Sequence, residues 1–220
     1  KMRVKINTQI IEKTKPTKTN YEHEVYSMLL NNLDPEKAKI IHSKQRFLRL
    51  FTFSNIYINN KNKQAHFYLS GKDELIKEMV NHLAFNQLIR IDDMVLNIIN
   101  ISLIPDLNKK EEYTFKTKLI INISQNNKCV LCDNEEYIQK RIIQIALSKA
   151  KKLNINTLNK NLQCKIINKK KEYDKYKNHH IESWNCKIKL KGNYELINLL
   201  YNVGIGENTA SGHGLLWEVA

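Results

Sequence analysis

Apolar and polar residues alternate from the start of the chain: Met2, Val4 and Ile6 interleave with Arg3, Lys5 and Asn7, the period of a half-buried strand. Beyond Pro16 the period lengthens. Val25, Met28, Leu29 and Leu33 mark one face of a helix over 21–33, with Asn20 placed to cap it. Strand character returns at 47–53, 56–58 and 65–69. Gly71 then interrupts the chain before a second amphipathic helix over 72–86, carrying Leu75, Met79, Val80 and Leu83. An apolar, β-branched run from 94 to 104 ends at Pro105.

The same order then recurs. A strand is predicted over 113–123, and a long helix over 134–152 with Ile138, Ile142, Ile145 and Leu153 on one side. Strands follow at 162–168 and 184–190, a short helix at 194–201 and a last strand at 215–219. Two βαββαβ units predict an α+β chain of two tandem ferredoxin-like domains, 1–108 and 109–220, joined through the polar segment 105–112. The stretch 169–180 (KKKEYDKYKNHH) has few apolar residues and reads as a mobile loop between two strands.

Composition narrows the class. Of 220 residues, 42% are hydrophobic and 26% charged, which excludes a disordered tail. No apolar run reaches membrane-spanning length, and the first eleven residues lack the apolar core of a signal peptide, so the expectation is a cytoplasmic protein with no membrane partner. The formal charge of +14, from 36 basic and 22 acidic residues, favours a polyanionic partner. Lysine, asparagine and isoleucine number 31, 28 and 28 against 5 arginines; all three are read from A/T-rich codons, so base composition alone would raise the lysine count. The charge divides evenly between the halves and forms no basic tail.

Candidate chemistry concentrates in two places. Four of the six glycines fall in Gly204-Ile205-Gly206-Glu207-Asn208-Thr209-Ala210-Ser211-Gly212-His213-Gly214. This run follows a helix and precedes a strand, opposite to a dinucleotide fingerprint, and it contains no Walker lysine. It reads either as exposed amides suited to phosphate, with Asn208, Thr209 and Ser211 alongside, or as a wide hairpin turn. The second place is His42-Ser43-Lys44-Gln45-Arg46-Phe47-Leu48-Arg49, a histidine and three cations leading into a strand. That set suits RNA cleavage by internal attack of a 2′-hydroxyl, although a surface cluster has the same composition.

Other motifs are weaker. Cys129 and Cys132 have the spacing of a metal pair, but Cys164 and Cys186 stand alone, so all four read as buried strand cysteines in a reducing compartment. Asp92-Asp93 has no histidine or carboxylate partner at metal spacing, and Gly-x-Ser-x-Gly is absent.

The two segments, in this order on a doubled fold, resemble the CRISPR-associated endoribonucleases that cut precursor CRISPR RNA within its repeats, members of the RAMP superfamily. The matching residues are the helix from Glu195 to Tyr201, Gly204-Ile205-Gly206, Gly212-His213-Gly214-Leu215, and His42 ahead of Leu50-Phe51-Thr52-Phe53-Ser54. The resemblance covers essentially the whole chain. It implies cleavage without metal or other cofactor, leaving 2′,3′-cyclic phosphate and 5′-hydroxyl ends. It assigns His42 as general acid or base and Arg49 to the phosphate, with Lys44 and Arg46 as alternatives. Some members add a tyrosine late in the first helix; here Leu30 and Asn31 occupy that region, and Tyr26 stands a turn earlier. His213 replaces the usual phenylalanine between the last glycines.

The expected partner is therefore CRISPR repeat RNA, contacted by Gly204, Gly206, Asn208, Thr209, Ser211, Gly212, His213 and Gly214. Homodimerisation and association with a CRISPR effector complex are left open. The alternative is a non-cleaving RNA-binding subunit of such a complex, since the fold also serves scaffolding proteins.

Overall fold

A computed structural model of the chain describes residues 1–18, 20–42, 50–156, 161–176 and 179–219. The chain divides into two compact units, Lys1–Pro105 with Ala210–Gly212, and Asp106–Thr209 with His213–Ala220.

The first unit opens with β1 (Met2–Lys13), followed by α1 (Glu22–Asn31) and α2 (Pro35–His42). β2 (Phe51–Phe53), β3 (Tyr57–Asn59) and β4 (Gln64–Gly71) precede α3 (Asp73–Asn86), β5 (Leu88–Ile91) and β6 (Met94–Ile104). The sheet runs β2-β4-β1-β6-β5, with β3 also on β4, and every pairing is antiparallel. β1 lies at its centre and alternates from Val4 to Ile10: Val4, Ile6, Thr8 and Ile10 are buried while Lys5, Asn7 and Gln9 are half-exposed, and Arg3, buried on the second side, departs from the pattern. Val25 and Leu29 of α1 and Ile76, Met79 and Leu83 of α3 share one core with Val4, Ile6, Phe67, Leu69 and Leu96. The helices therefore cover one face of the sheet.

The N-cap position of α1 is Tyr21, one residue later than expected, and Asn20 instead accepts the Glu22 backbone N–H on its Oδ1 at 2.7 Å. Two elements of this unit were not foreseen. Leu33 ends the first helical stripe, and Asp34 Oδ1 accepts from the Glu36 N–H to open α2. Asp92, at φ 54°, turns β5 into β6. The Asp92-Asp93 pair is therefore a hairpin turn whose carboxylates meet Lys15, Lys18 and the Lys15 N–H.

The second unit repeats the plan. β7 (Glu112–Leu119) is followed by a small hairpin, β8 (Asn122–Gln125) and β9 (Lys128–Leu131). α4 (Glu135–Lys152), β10 (Leu162–Tyr176), β11 (His179–Gly192), α5 (Tyr194–Val203) and β12 (Trp217–Glu218) complete it, in sheet order β10-β11-β7-β12. In both units the opening strand is flanked by the strands on either side of the second helix crossover, the split-βαβ arrangement of tandem ferredoxin-like folds. Asn134 and Asn193 cap α4 and α5, accepting from the Tyr137 and Leu196 N–H groups at 2.9 and 3.2 Å.

The loop expected over 169–180 is instead the outer half of a long hairpin. β10 and β11 stay in register from Leu162↔Gly192 out to Tyr176↔His179, with one irregularity at Ile166/Asn168. Polar side chains hold it: Lys171 pairs with Glu182 at 2.9 Å, Asn185 donates to Glu172 at 2.8 Å, and Lys169 lies 4.5 Å from the Trp184 ring. The cysteine expectation also needs one correction. Cys132, Cys164 and Cys186 are buried, but Cys129, on the outer hairpin strand β9, is exposed. Burial pushes the Cys164 and Cys186 thiols up to about 12.

Candidate functional site

The histidine–cation segment joins two anchored ends. Ile41, the penultimate residue of α2, is fully buried in the first unit's core. On the far side Leu50 is buried, its carbonyl accepts the Lys72 N–H at 2.9 Å, and Phe51–Phe53 pairs with Leu69–Gly71. His42 is thus the terminal residue of α2. Its side chain, and Lys44, Arg46 and Arg49 within 43–49, lie outside the described residues. Tyr26 of α1 is half-buried, with its ring stacked on Phe53 at 6.5 Å between centroids.

The glycine-rich loop is fully described, and it is not a string of exposed amides. Gly204, Gly206, Thr209, Gly212, His213 and Gly214 are buried; of the eight residues read as RNA contacts, Asn208 is exposed and Ser211 half-buried. Four of the loop's backbone donors are used internally. Gly204 N–H closes α5 on the Leu200 carbonyl, Ile205 N–H meets the Gly214 carbonyl at 2.8 Å, and Gly214 N–H meets the Lys118 carbonyl at 2.7 Å. Glu207 N–H bonds the Ile120 carbonyl at 2.8 Å.

The glycines are required by packing. Gly214, at φ +77°, would place a Cβ 2.0 Å from the Ile205 carbonyl oxygen, and Gly206, at φ +75°, would place one 2.5 Å from Leu119 Cδ1. Asn208 also takes a left-handed backbone, at φ 54°, and is the exposed tip of the loop. His213, 1% exposed, is a buried ring and not a surface platform for a base.

Two charged groups fasten this loop to the second unit. Arg141 of α4 reaches Glu207 at 3.2 Å, and the other Glu207 oxygen accepts the Asn122 N–H at 3.2 Å. Lys149, on the buried stripe of α4, donates to the Gly204 carbonyl at 2.8 Å and the Val203 carbonyl at 3.4 Å, where α5 ends. Burial, with Lys152 nearby, pushes the Lys149 pKa down to about 7. Sequence periodicity missed this residue because a lysine on an amphipathic helix is ordinarily read as solvent-facing.

Two split-βαβ units, with a glycine-rich loop linking the last helix to the last strand, define the double ferredoxin-like architecture of RAMP proteins. The family model for "CRISPR associated protein Cas6, C-terminal" matches residues 105–217, and the chain belongs to that family.

Solved structures agree at the level of fold. One described as CRISPR associated protein Cas6 superposes with a TM-score of 0.80 at 20% identity, covering 100% of this chain and 99% of its own. A RAMP protein described as binding different RNA substrates also gives 0.80, at 18% identity and 100% of each chain. A Cas6-related protein from Pyrococcus furiosus gives 0.80 at 18% identity, over 99% and 98% of the two chains. No curated protein matches the chain significantly by sequence.

Proposed function

We propose that this protein is a metal-independent endoribonuclease that binds the repeat of a CRISPR precursor transcript and cuts it at one phosphate. The observation carrying this reading is the family match over 105–217, which spans the glycine-rich loop, together with the fold shared with a RAMP protein described as binding RNA. Cytoplasmic location and the domain limits 1–108 and 109–220 belong to the same proposal.

In the reaction, the 2′-oxygen next to the cut attacks phosphorus and the bond from phosphorus to the 5′-oxygen breaks. The 2′-hydroxyl proton passes to a base, and the departing 5′-oxygen takes up a proton. The products carry 2′,3′-cyclic phosphate and 5′-hydroxyl ends. His42 is assigned one of the two proton transfers, since an imidazole titrates near neutral pH. Arg49, with Lys44 and Arg46 as alternatives, offsets the charge that accumulates on the phosphate oxygens. Tyr26 is the aromatic candidate of the set. The anchoring of Ile41 and Leu50 supports this assignment, because a catalytic segment must be held at both ends to place its groups reproducibly. In the glycine-rich loop, Asn208 and Ser211 are the groups offered to RNA, and the four glycines give the loop its shape.

The test is cleavage of a repeat RNA in EDTA by wild type and His42→Ala, with and without a 2′-deoxy substitution at the cut site. A single cut in wild type is expected, reduced about a hundredfold or more by the substitution and abolished by the deoxy substrate. Selective binding with no cut establishes the non-cleaving subunit instead.

A further inference from the structure

We propose that the part of the first unit's sheet opposite α1 and α3 that carries Tyr57, His66 and Tyr68, beyond the buried Arg3–Ser70 row, is a stacking platform for unpaired RNA bases. This rests on the RNA-binding reading above and adds a second contact surface to it.

The register builds the platform. Across neighbouring strands Tyr57 stands directly opposite His66, His66 opposite Asn7, and Asn7 opposite Asn100. In the adjoining row Tyr68 stands opposite Lys5, and Lys5 opposite Ser102. These residues share one face because alternate residues of β1 and β4, namely Val4, Ile6, Ala65, Phe67 and Leu69, enter the core beneath α1 and α3.

Three rings are gathered there. Tyr57 and His66 stack at 5.1 Å with planes 24° apart, and Tyr68 meets both edge-on, at 6.4 Å from Tyr57 and 5.7 Å from His66. The Lys5 ammonium lies 5.9 Å from the Tyr68 ring centre. Asn7 donates to Asn100 at 2.7 Å, holding two amides beside the rings.

Cross-strand ring pairs also stabilise sheets, so the cluster alone does not identify a ligand. Exposure and chemistry do. Tyr57 is 44% exposed, an unusual place for a large ring in a stack. Burial and Lys5 lower the His66 pKa, which keeps that ring neutral and suited to stacking at neutral pH. Flat rings beside a cation and amides match the π-face, phosphate and base edges of single-stranded nucleic acid. A duplex keeps its bases stacked on one another and presents no such faces.

The test measures binding of a ten-nucleotide single-stranded RNA, the duplex of that sequence, and repeat RNA, at matched salt. Wild type, Tyr57→Ala/Tyr68→Ala and Tyr57→Phe/Tyr68→Phe are compared, each with its melting temperature. The alanine pair is expected to bind the single strand about tenfold or more weakly, the phenylalanine pair to bind like wild type, and duplex affinity to stay constant. Photocrosslinking of wild type with 5-iodouridine RNA, which needs no variant to fold, should label a peptide within 57–71.

Repeat RNA bound by wild type, with no loss in a folded alanine pair or with crosslinks only elsewhere, overturns the platform and leaves the nuclease reading standing. Failure of wild type to bind any RNA overturns both.

Discussion

Replacing Lys149 with methionine should change how stability depends on pH. The ammonium is buried in the second unit with a pKa of about 7, against 10.5 for an ordinary lysine, and it is held by the carbonyls of Val203 and Gly204. Between about pH 6.5 and 8.5 the native side chain loses most of its proton while the unfolded chain keeps its own. The unfolded state then binds more protons, so native stability rises with pH. A displacement from 10.5 to about 7 gives a gain of about 2 kcal/mol over those two pH units. Lys149→Met retains the apolar stem and removes the ionisation. It also takes that donor from the Val203 and Gly204 carbonyls, a penalty of about 1–3 kcal/mol that does not vary with pH. Urea unfolding of both proteins at each pH isolates the effect, because all other titrations are common to the pair. The expected result is a wild-type slope the variant lacks, so that the stability difference shifts by about 2 kcal/mol in favour of wild type at the higher pH. Parallel profiles would refute the reasoning and mean that the two carbonyls hold the ammonium charged throughout.

Gly214→Ala should destabilise the protein by at least about 2 kcal/mol in denaturant melts, because it combines a left-handed backbone with a Cβ driven against the Ile205 carbonyl. Asn134→Ala should lower stability by about 1 kcal/mol through loss of the α4 cap, also read from denaturant melts. A thiol reagent should modify Cys129 in the folded protein and reach Cys164 and Cys186 only on unfolding, as followed by mass spectrometry with and without urea. Rapid native labelling of Cys164 would show that the second sheet opens locally.

Strands and helices that bury one face were legible because their periods are. β1, α3 and α4 follow directly from apolar spacing, and the repeated order gave the doubled fold. The outer half of the β10–β11 hairpin was not legible, since lysines and acids occupy both of its faces and leave no alternation to read.

The glycine-rich loop shows a different limit. Glycine is selected both where a ligand approaches the backbone and where the chain packs on itself, and the sequence alone does not distinguish them. For Gly206 and Gly214 the second use is the one observed. Tyr57, His66 and Tyr68 carried no motif at all. Only the register of β3 on β4 brings residues nine and eleven positions apart into one cluster with Tyr57.

Ala210–Gly212 pack with the first unit although they lie near the end of the chain, and this bears on how the chain assembles during synthesis. Ala210 is 5% exposed and belongs to the core formed by Val4, Phe67 and Leu83, more than a hundred residues earlier. A nascent chain translated as far as Pro105 has every described strand and α-helix of that unit, yet lacks Ala210 of its core. A chain ending between the two units would therefore lack the Ala210 methyl in the first unit's core, an open flank that the full chain closes.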